Sequence, residues 1–190
     1  MIDLAVQYIA QSYDFDCWHA SLRMVYKFRH GNGAEPPGLL RVEQEGLARY
    51  NERAAVMRAA REQGRNYAWT RRCLRDLPKR GLHLHEFEEL AGAHGMVAPL
   101  MPLSCNEVQQ SGGWTADRLE ALLRIHGPIW CAFDYGHIVV LKGVTQDGLL
   151  IHDPQGSADT PYAIENFNRL LSWGPFCLMY MPGQPNPGKD

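Results

Sequence analysis

A thiol serves as a nucleophile at neutral pH only where its thiolate is stabilised and a base stands within reach. The positive end of a helix, with its free N–H groups, meets the first condition. Of the five cysteines, Cys17 fits that position: it opens a run to Arg29 with helical spacing, and Asp14 and Asp16 before it are candidate caps. The base must come from elsewhere in the chain and meet the thiol in the fold. His137 fits, because it follows Gly136 at the start of the strand-like run His137-Ile-Val-Val-Leu. A third group has to fix the imidazole tautomer. Asp153, in Ile151-His152-Asp153-Pro154, can do so if the two strands form a hairpin through Gln146-Asp147-Gly148. Strand alternation then turns His152 the other way. Gln11, six residues before Cys17, offers a side-chain amide that with the Cys17 backbone N–H would make a two-donor oxyanion pocket.

The other reactive side chains read differently. Cys131 and Cys177 lie within apolar runs, and Cys73 and Cys105 have no partners at catalytic spacing, so all four read as structural. His19 is close to Cys17 in sequence but points about 200° away on a helix. It shares its face with Arg23, Lys27 and His30, a set that reads as solvated. His83, His85, Glu86 and His94 lack a convincingly spaced fourth ligand, so neither a metal nor a cofactor is expected. Trp114, after Ser111-Gly112-Gly113, reads either as a cleft wall or as an anchoring aromatic, and Asp153 before Pro154 also reads as a turn initiator.

The elements that must position these groups change character along the chain. Helical runs are expected at Cys17–Arg29, Leu39–Gln63, Cys73–Leu77 and Leu84–His94, with a loop at Gly31–Gly38. Thr115 is a good N-cap for Ala116–His126, which Gly127-Pro128 stops. Strands are expected at Ile129–Phe133, His137–Val144, Leu149–His152 and Phe176–Met181, with a short helix at Asn166–Ser172. The class is α+β: one domain over residues 1–181, with a helical amino-terminal lobe to about residue 126 and an antiparallel sheet lobe from about residue 127. The proline-containing tail 182–190 reads as disordered.

Composition narrows the function. With 190 residues, 45% of them apolar, the chain can bury a single core. Its net charge of −2 generates no field for phosphate backbones or anionic membranes, so neither nucleic acid nor membrane is an expected partner. Residues 1–10 contain Asp3 and lack both a basic start and a long apolar run, so no cleavable signal is expected. No apolar stretch approaches the length of about 20 residues that a membrane span needs, so the expectation is a soluble protein made in a cytoplasm. Five widely spaced cysteines without a C-x-x-C pair suggest neither a disulfide framework nor a zinc knuckle.

Gln11, the step from it to Cys17, Trp18 directly after, Gly136-His137 and the acidic residue that follows resemble the pattern of papain-like cysteine peptidases. Gly127-Pro128-Ile-Trp, Gly136-His137-Ile-Val-Val and His152-Asp153-Pro154 resemble the sheet lobe of its compact bacterial branches. These are the effector proteases secreted by plant pathogens and the double-glycine-cleaving peptidase domains of bacteriocin-exporting transporters. The resemblance runs over about residues 5–181 and is specific near 11–20 and 127–154. Plant-type enzymes differ: no Cys-Gly-Ser precedes Cys17, and Asp153 stands where they use asparagine.

The resemblance implies a papain-like fold with the site between its lobes. Cys17 would be the nucleophile, His137 the base, Asp153 its orienter and Gln11 an oxyanion donor. It also implies cofactor-free hydrolysis of a protein substrate, with small residues such as Gly-Gly before the cut. By the same resemblance the chain is a bacterial effector or toxin, secreted without a Sec signal into a target cell and paired with a cognate inhibitor or immunity protein. An amidase, deamidase or transglutaminase would use the same triad, and an inactive papain-like module would only bind; both readings stay open on the sequence.

Overall fold

The computed structural model describes residues 1–11, 16–37, 41–64, 84–98, 105–134, 136–174 and 176–183. Asp14, the helix expected at Cys73–Leu77 and the tail from residue 184 lie outside the described residues. Six strands form one antiparallel sheet: β1 (Ile2–Asp3), β2 (Ile129–Phe133), β3 (His137–Thr145), β4 (Gly148–His152), β5 (Thr160–Tyr162) and β6 (Leu178–Met179). The order is β5-β4-β3-β2-β6, and β1 pairs with β3 where β3 runs on past the start of β2. The described helices are α1 (Cys17–His30), α2 (Arg41–Glu62), α3 (Leu84–His94), α4 (Cys105–Gln110), α5 (Ala116–His126) and α6 (Ile164–Leu170).

Helices cover both faces of this sheet, which is why β2 and the start of β3 read as unbroken apolar runs instead of alternating. On one face Ile129, Cys131, Val139 and Leu141 pack with Val108 of α4, Leu119 and Leu123 of α5 and Phe167 of α6. On the other, Trp130, Ala132, Ile138 and Val140 pack with Trp18, Leu22 and Val25 of α1 and Leu90 of α3. The α+β expectation holds, with strand β1 drawn from the first residues of the chain.

Local chemistry sets the boundaries. The Thr115 hydroxyl accepts from the Arg118 N–H at 3.3 Å, and Gly127 at φ +86 ends α5, as expected from Gly-Pro. The β3–β4 hairpin closes through Gln146 and Asp147, with Thr145 opposite Gly148. Gly148 needs to be glycine, because its φ is +120 and a Cβ would stand 2.5 Å from the Tyr162 carbonyl oxygen. Four spans differ from expectation. The last strand is confined to Leu178–Met179, the last helix lies at Ile164–Leu170 and not at Asn166–Ser172, and β5 and α4 arise in stretches where no element was expected.

A β-bulge interrupts β3. Leu141 faces Ile151 and Gly143 faces Leu150, so Lys142 is the extra residue. As a result Leu141 and Val144, an odd and an even position, both enter the same core.

Trp130 holds α1 to the sheet. It is fully buried, its Nε1–H donates to the Trp18 carbonyl at 3.3 Å, and Phe87 of α3 meets its ring edge-on at 5.1 Å. Trp130→Ala is expected to cost about 3–5 kcal/mol of unfolding free energy, read as a lowered urea midpoint at unchanged slope.

Candidate active site

Cys17 is the first residue of α1, 5% exposed, with the last turn of the helix bearing Lys27, Arg29 and His30 and the first turn no acid. The dipole therefore presents its positive end to the thiol without a neutralising carboxylate in that turn. Asp16 stands at the N-cap, but its side chain makes no capping bond; its carboxylate lies 3.4 Å from His19 Nδ1. The expected side-chain cap is thus replaced by a contact with His19 along the helix. The face read as solvated is also less so than expected: Lys27 is buried and its ammonium pairs with Glu35 at 2.6 Å.

Two contacts fix α1 against the strands, each beside a site residue. Trp18, next to Cys17, accepts from Trp130, and Ser21 donates to the carbonyl of Ile138, next to His137, at 3.3 Å. Gly136 at φ +75 lets β2 turn into β3, with its N–H donating to Phe133 at 3.0 Å, so that His137 opens the strand opposite Phe133.

Register brings the third residue. Val140 lies opposite His152 and Leu141 opposite Ile151, so Asp153 follows on the side of the ladder that His137 shares. The His137 Nε2–H donates to Asp153 Oδ1 at 2.6 Å, and the Cys17 thiol is hydrogen-bonded to the same ring. With Nε2 committed to the carboxylate, Nδ1 is the nitrogen left for sulfur. Asp153 is also the turn initiator that Asp-Pro suggested. The N–H groups of Gln155 and Gly156 donate to the same Oδ1 at 2.9 and 3.3 Å, so the turn aims the carboxylate at His137. His152, the adjacent residue, points away and donates from Nε2 to the Val6 carbonyl at 2.9 Å.

The charges reinforce one another. Burial alone would pull the His137 imidazole down, but its hydrogen bonds to Asp153 and Cys17, with their charges, raise its pKa to about 9. Burial pushes the Asp153 carboxyl up, and His137 with the two turn N–H groups outweighs it, holding the group below the ordinary carboxylate value.

Gln11 reaches this end of the sheet through its backbone, its N–H donating to the Pro154 carbonyl at 2.9 Å. Residues 12–15, between it and Cys17, lie outside the described residues. Of the remaining cysteines, Cys131 and Cys177 are buried with their thiols pushed up, Cys177 chiefly by its hydrogen bond with Cys105 and Cys131 by burial, while Cys73 lies outside the described residues. Trp114 is an anchor: it is buried, and Asn168 grips its backbone at both N–H and carbonyl, at 2.8 and 2.9 Å. Among the described residues no three His, Cys, Asp or Glu side chains cluster as a metal site requires, and no helix is long and apolar enough to cross a membrane.

Over residues 1–172 the chain matches the family model described as papain-like cysteine protease AvrRpt2. No curated protein matches it. A solved structure of a double glycine motif protease from an AMS/PCAT transporter, in complex with the leader peptide, is 16% identical; the match covers 97% of this chain and 94% of that one, with a TM-score of 0.44.

Proposed function

The chain belongs to the papain-like cysteine protease AvrRpt2 family and is a cysteine peptidase, and on that premise we propose that Cys17, His137 and Asp153 are its catalytic triad, with Gln11 as an oxyanion donor. The contact that supports this reading is the His137 ring held at 2.6 Å by Asp153 and hydrogen-bonded to Cys17. The Cys17 thiolate attacks the scissile carbonyl carbon, and its oxygen takes the negative charge, facing the Gln11 amide and the Cys17 backbone N–H. The His137 imidazolium gives its proton to the leaving amine as the C–N bond breaks. Water, deprotonated by His137, then hydrolyses the thioester and returns the thiol.

The substrate is a protein segment with small residues, such as Gly-Gly, before the cut. The resemblance of residues 127–154 to double-glycine-cleaving domains supports this preference. The biological role is that of a bacterial effector or toxin, delivered into a target cell and restrained at home by an inhibitor protein. Expression of the wild-type chain in a host cytoplasm is expected to be toxic and Cys17→Ala harmless; harmless wild-type expression would count against that role.

The decisive test is mass spectrometry of new protein amino termini in cells expressing the wild type against Cys17→Ala. New termini that depend on Cys17 name the bond and substrate together. Glutamine deamidation or peptidoglycan breakdown without new termini would instead favour an amidase, deamidase or transglutaminase.

A small thiol-directed electrophile provides a second check. At pH 7 it is expected to modify Cys17 at least tenfold faster than Cys131 or Cys177, read by peptide mapping, because the latter two thiols are pushed up while Cys17 is hydrogen-bonded to the His137 ring. An inactive binding module predicts no such preference.

A further inference from the structure

Residues 4–11 form a strap tied at intervals to β3, to the end of β4 and to the turn that follows it. The Leu4 N–H donates to the Lys142 carbonyl at 3.1 Å and the Gln11 N–H to the Pro154 carbonyl at 2.9 Å. Between them the Val6 carbonyl accepts from His152 Nε2 at 2.9 Å, and the Tyr8 hydroxyl donates to the Asp153 carbonyl at 3.0 Å.

His152 is the hub of this strap. It is 2% exposed and both ring nitrogens are used, Nδ1 accepting from the Asp159 N–H at 3.1 Å while Nε2 donates to Val6. The two bonds coexist only in the neutral ring with its proton on Nε2. Burial favours that form by holding the pKa below the ordinary histidine value. Tyr8 meets the same ring edge-on, with centroids 5.4 Å apart. Lys142, the bulge residue, closes the outer end, its ammonium bridging Asp3 and Asp159 at 2.7 Å each.

We propose that Tyr8 and His152 are positioning residues that hold the turn carrying Asp153 and the strap carrying Gln11 in one fixed relation beside His137. The proposal rests on the reading of Cys17, His137 and Asp153 as a triad. The Asp153 turn aims its own carboxylate, but the place of that turn depends on what grips its backbone, and the Tyr8 hydroxyl and the Gln11 N–H grip the carbonyls of Asp153 and Pro154. A short charge-assisted bond such as His137 to Asp153 loses strength steeply when its acceptor drifts.

Tyr8→Phe deletes only the hydroxyl and keeps the ring against His152. The readout is the His137 ring titration by NMR, beside steady-state kinetics. The midpoint, about 9 in the parent, is expected to fall by about one pH unit. With it kcat is expected to fall about tenfold, and KM to stay within about twofold. His152→Ala is expected to do at least as much, and His152→Gln, which still offers Val6 a donor and Asp159 an acceptor, to restore most of the loss. Leu123→Ala, in the core on the opposite face of the sheet, is expected to lower stability without moving the midpoint.

An unmoved His137 midpoint in Tyr8→Phe overturns the proposal, whatever the activity, and still decides the matter if His152→Ala fails to fold. The titration needs no turnover. A parent chain that titrates near pH 9 and cleaves nothing therefore counts against the triad reading alone.

Discussion

Exchange of Cys17 for alanine is expected to lower peptide cleavage by about 10⁴- to 10⁶-fold while leaving the fold in place. The size of the loss follows from what remains. Without sulfur there is no covalent intermediate, and His137 could at best direct water at the substrate, so only binding and oxyanion contacts still contribute. The fold should survive because α1 is held by Trp18, Leu22, Met24 and Val25 and by the bonds from Trp130 and Ser21, none of which uses the thiol. The measurement is a single-turnover assay on the peptide identified from the new termini, with circular dichroism on the same samples. A variant that keeps more than about a hundredth of the parental rate, with its fold intact, would remove Cys17 from the chemistry.

How far the sequence foretold this arrangement depends on the range of the interaction. The β3–β4 hairpin was legible because its turn is local, and Gly136 before His137 marked a strand start for the same reason. Those two features bring His137 and Asp153 to one end of the sheet, and the structure adds that a single oxygen of Asp153 serves both the turn and the imidazole. The strap was not legible. Its acceptors are carbonyls of Lys142, Val6, Asp153 and Pro154, and any residue presents a carbonyl. The two residues of β1 and the three of β5 are too short to show a period, and the bulge at Lys142 exists only as a mismatch with β4. Asp16 misled for a related reason. Its side chain could serve either the backbone or His19, and the sequence does not rank a local bond against a side-chain contact one turn on.

The second large effect concerns the alkaline limit of the reaction. In the proposed triad the reactive form pairs a thiolate with an imidazolium, so the rate must fall where His137 gives up its proton, and the parental profile is expected to turn down at about pH 9. Because that pKa is raised above the ordinary histidine value, the pairing also stabilises the native state. Its contribution is full below about pH 6.5 and lost as pH rises through about 9. Asp153→Ala removes the acceptor and its charge while burial remains, so the alkaline limb should move down by about one to two units and kcat/KM at pH 7.5 should fall by about 10³-fold. Asp153→Asn is expected to lose only about tenfold. Gln155, Gly156 and His137 all donate to Oδ1, and an amide oxygen can take that place while the turn keeps it aimed. Pre-steady-state rates across pH 5 to 10 separate the two variants. If alanine and asparagine cost the same, the contribution of Asp153 is its charge and not its direction; if neither moves the limb, His137 takes its basicity from Cys17 alone.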